Sequence, residues 1–282
     1  MSKISNLLSK EKTISLEFFV PKTLAGQKKL YSDIKNIKDF IPSFSSVTYS
    51  VKKNSVSTDK IVKFITNNTN ITAMPHLTCI THSKLEIDSI INKYNDSGIQ
   101  NILALRGDIP KDMLELKEKD YHNALELVHY IRSKINCDIG VAIHPEGHPD
   151  ASSKATDLSY QKEKIIASNF GITQFFFDEN KYFTFVENLK KSNITTPIIA
   201  GLMPPANINS LISMSKLNGT ELPKNIINGL NKLKNNKDCR KFAIESTVIL
   251  AKKLLANDAP GIHIYTMNDV SLGIEIAKQL KD

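Results

Sequence analysis

The stretch NILALRGDIP, from Asn101 to Pro110, ends an apolar run in a cation, a glycine and an anion. Arg106 and Asp108 flank Gly107, which leaves the backbone between the two charges open to close approach. Charged side chains that follow a buried strand are candidates for ligand binding or catalysis. These residues are therefore the first candidates for a functional site.

The segment TISLEFFV, from Thr13, places a carboxylate within an alternating strand. One face carries Ser15, Glu17 and Phe19, and we expect it to line the interior of the fold. Burial disfavours a charged carboxylate and raises its pKa, so Glu17 is a candidate general acid. A structural ion pair is the alternative role. The opposite face is wholly apolar and suits packing against helices; it consists of Ile14, Leu16, Phe18 and Val20.

Polar side chains also lie near the ends of four further strand-like runs: Thr48 in SVTYS, His76 in MPHLTC, Arg106 and Asp108 in LALRGD, and Gln174 in ITQFFFD. Each one alone is explained by an ordinary structural hydrogen bond. Polar groups at five strand ends, with Glu17 included, indicate one site where these ends meet.

The segment HPEGHPDASSKATDL, from His144, contains two histidines that could bind a metal ion. His144 and His148 are four residues apart, but the prolines between and after them prevent a helix that would align the rings. Further ligands would have to come from elsewhere in the chain, so we predict no metal site here.

Eight short runs rich in β-branched and aromatic residues alternate with segments of helical periodicity. Helices are predicted over 83–97, 121–135, 155–169 and 239–256. This alternation in 282 residues predicts a single-domain (β/α)8 barrel, with an extra helix between strands 7 and 8, where 223–233 and 237–257 have room for two helices. An open doubly wound sheet is the alternative, although no Gly-x-Gly-x-x-Gly follows the first strand. The eight runs begin at Thr13, Phe44, Ile71, Asn101, Asp138, Ile172, Thr196 and Gly261.

Composition excludes several classes of protein. The net charge is +8, but only three of the 37 basic residues are arginines, which favours a solvated lysine surface over a nucleic-acid interface. Three separated cysteines predict neither disulfides nor a thiolate metal site. No apolar run is long enough to span a membrane, and the N-terminus lacks a targeting pattern, so we expect a cytoplasmic protein.

Taken together, the motifs resemble those of the methylenetetrahydrofolate reductase family. SLEFFVPKT, SVTY, PHLTC, LALRGD, HPEGHP, ITQFFFD and YTMN follow the order of the family's motifs from Ser15 to Asn268. The resemblance implies a (β/α)8 barrel that uses FAD and NADH or NADPH to reduce 5,10-methylenetetrahydrofolate to 5-methyltetrahydrofolate. Such enzymes supply methyl groups for methionine synthesis, and a homo-oligomer is implied as well.

The resemblance also assigns roles by position. Glu17 would be the general acid that promotes opening of the folate's five-membered ring, between two hydride transfers through N5 of the flavin. Thr48, Asp108 and Gln174 would contact nicotinamide or folate, and Lys164 would meet the FAD pyrophosphate. The implied FAD contacts are Tyr49, Val51, His76, Arg106, Gly107, Asp108, Tyr121, His122, His144, His148, Ala151, Asp157 and Lys164.

Three positions depart from the family pattern. His144 stands where relatives commonly have tyrosine, and Met214 stands on a helix where relatives can offer an aromatic residue. Asp269 follows YTMN where some relatives carry an arginine suited to the folate glutamate. Two other functions stay open at this point: a metal-dependent barrel hydrolase using His76, His144, His148 and Asp178, and a noncatalytic nucleic-acid-binding protein.

Overall fold

A computed structural model describes residues 2–38, 40–50, 57–109 and 120–281. Eight parallel strands form a closed barrel in chain order, with β8 paired to β1. This confirms the predicted (β/α)8 barrel and excludes the open sheet. The strands are β1 Thr13–Phe18, β2 Phe44–Val47, β3 Thr72–Thr78, β4 Asn101–Leu105, β5 Asp138–Ile143, β6 Phe170–Thr173, β7 Ile198–Leu202 and β8 Gly261–Tyr265.

Helices surround the barrel and connect successive strands. No helix in the described ranges is long and apolar enough to cross a membrane. The helices are α1 Ile4–Leu8, α2 Leu24–Lys35, α3 Thr58–Asn68, α4 Lys84–Asp96, α5 Ala124–Lys134, α6 Lys154–Ile166, α7 Glu179–Lys191, α8 Ile208–Asn218, α9 Lys224–Asn231, α10 Asn236–Ala256 and α11 Val270–Lys278.

Alternation along the strands separates two hydrophobic layers, as a barrel requires. Ile14, Leu16 and Phe18 of β1 pack in the large outer cluster between strands and helices, as predicted. A smaller inner cluster fills the barrel itself and includes Phe44, Met74, Leu103, Phe170, Ile172 and Ile199. Polar side chains such as Glu17 and His76 lie nearer the carboxyl ends of the strands.

The short helix α1 closes the amino-terminal end of the barrel. Ile4 is fully buried in the inner cluster. The side chain of Asn101 accepts a hydrogen bond from the Ile4 backbone N–H at 2.8 Å, and Asp138 accepts one from Ser5 at 2.8 Å. These two buried strand residues thus satisfy the first N–H groups of a helix that has no side-chain cap of its own.

Two features of the second half differ from a regular alternation. Three helices, α8 to α10, lie between β7 and β8, and α9 and α10 occupy the two segments predicted for this gap. The predicted sixth strand began at Ile172, whereas β6 begins at Phe170 and ends at Thr173. The Phe175 N–H donates to the Gln174 side chain. Phe176 packs in the outer cluster, whereas Phe175 and Phe177 pack in a separate cluster with Tyr265.

Candidate active site

Glu17 lies in the barrel interior with 5% of its surface exposed, as the alternation of β1 predicts. Its Oε2 atom lies 3.4 Å from His76 Nε2 and 3.6 Å from His263 Nε2. Burial lowers the pKa of His76 to about 4, so this ring is neutral at neutral pH. Glu17 therefore lies against an uncharged imidazole on β3 and not in an ion pair with it.

His263 and two serines, which the sequence analysis missed, form a buried polar cluster beside Glu17. Ser46 Oγ lies 3.4 Å from Glu17 Oε2 and 3.1 Å from His263 Nε2. Ser15 Oγ lies 2.8 Å from His263 Nδ1. Strand register produces the cluster, because Ser15 is opposite His263 and Glu17 is opposite Ser46. The only sequence signal is that all four residues have inward-facing positions on neighbouring strands.

The backbone around Glu17 is fixed by residues that follow β8. The Thr266 hydroxyl donates to the Glu17 carbonyl at 2.6 Å. Asn268 receives a hydrogen bond from the Phe19 N–H at 2.8 Å and donates to the Phe19 carbonyl at 2.9 Å. Thus Thr266 and Asn268 of the YTMN motif fix the backbone at the end of β1, which restricts the position of the Glu17 side chain.

Thr48 and Tyr49 extend from the end of β2. The Thr48 hydroxyl accepts from the Val20 N–H at 3.1 Å, which joins the ends of β1 and β2. The phenol of Tyr49 lies 2.8 Å from Nε2 of His82, and burial lowers the pKa of this histidine. His82 is thus a partner of Tyr49 that the sequence analysis missed, whereas Val51 lies outside the described residues.

The RGD segment links two loops at the carboxyl end of the barrel. Arg106 Nη2 lies 3.0 Å from Asp150 Oδ2 in the loop after β5. Gly107 has a φ of +82°, and a Cβ there would lie 2.8 Å from Cβ of Thr78. Packing inside the protein therefore already requires glycine at this position. Asp108 is exposed at the rim.

Helix α6 turns a buried polar face toward the loop between β5 and α6. Gln161 accepts from the His144 N–H at 2.7 Å and donates to the His144 carbonyl at 3.0 Å. Asp157 Oδ2 accepts from Gln161 at 2.7 Å and from the His148 N–H at 3.2 Å. Asp157 and Gln161 therefore hold the HPEGHP loop in place, and Gln161 is a site residue that the sequence analysis missed.

Lys164 lies one turn further along the same face of α6 and is 7% exposed. Burial lowers the pKa of its amine to about 8, with Asp157 opposing the shift and Arg106 adding to it. No carboxylate of the described residues lies within ion-pair distance of its Nζ. A buried amine without a paired anion is suited to bind an anionic ligand.

His144 and His148 face each other with ring centroids 4.6 Å apart. Burial lowers the pKa of His144 to about 3 and also lowers that of His148. The Ala151 N–H donates to the His148 carbonyl at 3.1 Å and shapes the end of the loop. Within the described ranges no group of three His, Cys, Asp or Glu side chains is arranged to hold a metal ion, and Asp178 instead caps α7. The hydrolase alternative therefore has no support.

Gln174 and Tyr265 complete the far side of the barrel mouth. Gln174 is half-buried just beyond β6. Tyr265 crosses β7 to donate to the Thr173 carbonyl at 2.7 Å. This path is open because residue 201 is glycine: a Cβ there would lie 2.8 Å from the tyrosine ring.

Two further predicted contacts, Tyr121 and His122, precede α5. Tyr121 is 6% exposed and packs in the outer hydrophobic cluster, with its ring 5.4 Å from that of Tyr130. His122 is exposed, and its N–H donates to Glu126 at the start of α5. The role of both residues as FAD contacts stays a prediction.

The departures from the family pattern also have structural roles. Met214 packs on α8 in a third cluster with Phe175, Met203 and Leu211. Asp269 caps α11 by accepting from the Leu272 N–H at 3.0 Å, and it lies 2.9 Å from Arg240 Nη1 of α10. Arg240 of α10 therefore places a positive charge beside Asp269, the position at which some relatives carry an arginine.

Comparison with known proteins identifies the family of this chain. The family model described as methylenetetrahydrofolate reductase matches residues 2–281. A 5,10-methylenetetrahydrofolate reductase of Buchnera aphidicola from Schizaphis graminum is 36% identical over 94% of this chain and 90% of its own length. The reductase of Pectobacterium carotovorum is 34% identical over 95% of this chain and 89% of its own.

A solved structure of an uncharacterized Clostridium thermocellum protein that binds two copies of 5-methyl-5,6,7,8-tetrahydrofolic acid has a TM-score of 0.66. It is 16% identical, covers 99% of this chain and 98% of its own, and supports the fold alone. The match of the family model and the identity to full-length relatives go further than the fold. The chain belongs to the methylenetetrahydrofolate reductase family.

Proposed function

We propose that this protein reduces 5,10-methylenetetrahydrofolate to 5-methyltetrahydrofolate with electrons from NADH or NADPH, that it depends on FAD, and that its product supplies methyl groups for methionine synthesis. Family membership supports the folate substrate. The observation that carries the mechanism is the buried carboxyl group of Glu17, which lies at the barrel mouth against a neutral histidine.

The residues at the mouth fit a bound flavin dinucleotide. The buried amine of Lys164 is suited to a pyrophosphate, and Arg106 adds a second cation on the same side. Nε2 of His76 is buried without a hydrogen-bond partner among the described residues, so it can bind a polar group of a ligand. Gly147, with a φ of +95°, has no atom within 3.4 Å of a built Cβ and leaves the backbone of the loop accessible.

When bound, FAD supplies the hydride carrier between the pyridine nucleotide and the folate. Lys164 and Arg106 would bind its phosphates, and Tyr49, His76, His144 and His148 would contact its other parts. Asp157 and Gln161 keep the histidine loop in the required position. Thr48, Asp108 and Gln174 lie at the mouth where the folate or nicotinamide would meet the protein.

Glu17 would hold the proton that the reaction needs. It donates this proton to a nitrogen of the five-membered folate ring, so that the ring opens and its methylene carbon can accept a hydride. The neutral His76 places no positive charge beside the carboxyl group at neutral pH. Thr266 and Asn268 maintain the position of the acid.

The test separates the two half-reactions. Purified protein is saturated with FAD, reduced anaerobically with NADH or NADPH, and then mixed with 5,10-methylenetetrahydrofolate while absorbance is recorded from 300 to 550 nm. We expect the flavin bands to bleach in the first step and to return in the second, with formation of 5-methyltetrahydrofolate. A protein that binds no FAD, or whose reduced flavin is not reoxidised by the folate, would refute the proposal.

A further inference from the structure

The glutamate of the HPEGHP motif, Glu146, has no part in the FAD contacts assigned to this loop. Its Oε2 atom accepts a hydrogen bond from the backbone N–H of Glu221 at 2.9 Å. Glu221 belongs to the connection between α8 and α9, residues 219–223. Glu146 therefore joins the loop after β5 to a connection 75 residues further along the chain.

Two more contacts meet at the same connection. Gly219 ends α8 with a φ of +69°, and a Cβ there would lie 3.4 Å from Cβ of Pro149 in the HPEGHP motif. The buried hydroxyl of Thr220 donates to the Phe175 carbonyl at 3.1 Å. Residues 219–221 thus contact both the loop after β5 and the segment after β6.

The segment after β6 contains a predicted contact of folate or nicotinamide, Gln174. Phe175 follows it directly, and the Phe175 N–H donates to the Gln174 side chain. Phe175 also packs in one cluster with Met214 of α8 and with Tyr265, the register partner of Glu17. A displacement of α8 and its connection would therefore reach the residues that surround Gln174.

The HPEGHP loop has separate attachments to α6. Gln161 binds the backbone of His144, and Asp157 accepts from the His148 N–H. These bonds do not involve Glu146. Loss of the Glu146 acceptor should therefore free the connection between α8 and α9, while the two histidines keep their positions.

The carboxyl group of Glu146 is half-buried near charges of both signs. Burial raises its pKa, and the Glu221 N–H and the Lys181 amine oppose this shift. The carboxylates of Glu221 and Asp178 raise the pKa further. The Lys181 amine is itself paired with the Glu221 side chain at 3.1 Å, so the backbone N–H is the group that Glu146 binds directly.

We propose that Glu146 is a positioning residue that holds α8 and the groups around Gln174 against the FAD-side loop, so that the folate meets a mouth already in its binding geometry. This inference rests on the proposed function. A mouth that must order itself on binding loses affinity for its ligand. The bond to the Glu221 N–H requires an oxygen at the end of a long side chain, which a carboxylate or an amide can supply.

Three substitutions separate the reach of the side chain from its charge. Glu146→Gln keeps an oxygen at the same distance from the backbone and removes the charge. Glu146→Asp keeps the charge but is shorter by a methylene group, and Glu146→Leu has neither oxygen nor charge. Glu221→Gln is the control, because it removes the exposed ion pair with Lys181 and leaves the Glu221 N–H in place.

Amide hydrogen exchange of the apoprotein, followed by nuclear magnetic resonance, measures the contact without any ligand. We expect the N–H of Glu221 to exchange about tenfold or more faster in Glu146→Leu and Glu146→Asp than in wild type. It should exchange at the wild-type rate in Glu146→Gln. Glu146→Asp, the milder change, decides the comparison if leucine prevents folding. A wild-type exchange rate in Glu146→Asp would overturn the inference.

Binding of 5-methyltetrahydrofolate to the oxidised, FAD-saturated protein measures the function. We expect calorimetry to give a dissociation constant about three- to tenfold higher in Glu146→Leu and Glu146→Asp than in wild type, the effect of one lost hydrogen bond. Glu146→Gln and Glu221→Gln should bind the folate as wild type does. The affinity of the apoprotein for FAD should stay within about twofold of wild type in every variant, because the histidine loop keeps its bonds to α6.

Two results would overturn the inference. The first is wild-type folate affinity in Glu146→Asp, and the second is a loss of FAD affinity in that variant equal to its loss of folate affinity. A wild-type protein that binds FAD but does not bind the folate would instead overturn the proposed function.

Discussion

Oε2 of Glu17 and Nε2 of His76 lie 3.4 Å apart, and each side chain is more than nine-tenths buried. Because burial lowers the pKa of His76 to about 4, this contact joins a carboxyl group to a neutral ring at neutral pH. The histidine ring therefore adds no positive charge beside the carboxyl group at that pH. The contact is therefore not an ion pair at neutral pH, and the role of Glu17 as the acid stays a prediction.

Replacement of Glu17 by glutamine should abolish folate reduction. The amide keeps the shape of the side chain but cannot donate an acidic proton, so we expect the folate half-reaction to slow by about 10²- to 10⁴-fold. Flavin reduction by NADH should be largely unchanged. Stopped-flow absorbance of the two half-reactions measures both effects, with Glu163→Gln on the exposed face of α6 as the control. Equal slowing of both half-reactions would contradict the assigned role.

Lys164→Met should weaken FAD binding. The substitution keeps an unbranched apolar stem but removes the buried amine, so we expect the dissociation constant to rise by roughly 10- to 100-fold, the loss of a charge-assisted bond. The apoprotein should be no less stable than wild type, because an unpaired buried charge is lost. Titration of apoprotein with FAD by fluorescence measures the affinity.

The matched control for this substitution is Lys162→Met. Lys162 is on the same helix but its amine bonds to Ser192 on the outer face. FAD affinity equal in the two variants would show that Lys164 does not contact the cofactor. In the wild-type protein the affinity should fall as pH rises above about 8, since the amine loses its charge there.

The fold and part of the site follow from the sequence because both depend on local periodicity. Alternation in TISLEFFV directs Glu17 inward without knowledge of any partner strand. The position of His263 beside Ser15 cannot be predicted in this way, because it depends on strand register. The two residues become neighbours only when β8 closes the barrel against β1. The motif GIHIYTMN by itself contains nothing that points to Glu17.

Helix α6 is an intermediate case. Asp157, Gln161 and Lys164 follow one another at spacings of four and three, which places them on one helix face. A polar face is normally assigned to solvent, and only the structure reveals that this one is buried against the HPEGHP loop. The packing of the loop against α6 cannot be predicted from the loop sequence either, because the contacts are made by the backbone of His144 and His148 and follow no periodic pattern.

His144 should make the protein less stable in acid. Its pKa in the folded protein is about 3, below the ordinary value of about 6.5 in an unfolded chain, so the unfolded state binds the proton first as pH falls. Stability is therefore lost as pH falls from about 6.5 toward 3. The slope contributed by one such group approaches about 1.4 kcal/mol per pH unit.

His144→Asn removes this contribution. The free energy of unfolding in urea, measured at several pH values between 4 and 6.5, should depend less steeply on pH than in the wild type. The difference in slope should correspond to close to one proton. An unchanged slope in His144→Asn would mean that this ring is protonated in the folded protein.

Gly107→Ala should destabilise the protein more than Gly98→Ala does. Both glycines have a left-handed backbone, with φ of +82° and +67°, so alanine costs about 1 kcal/mol of backbone strain at either position. At Gly98 no atom lies within 4 Å of a built Cβ, whereas at Gly107 the Cβ of Thr78 lies at 2.8 Å. Because β4 and β3 must separate to relieve that contact, we expect a further cost of about 1–3 kcal/mol at Gly107. The difference between the two free energies of unfolding in urea isolates the packing contribution, and equal losses in the two variants would show that strain alone requires the glycine of the RGD segment.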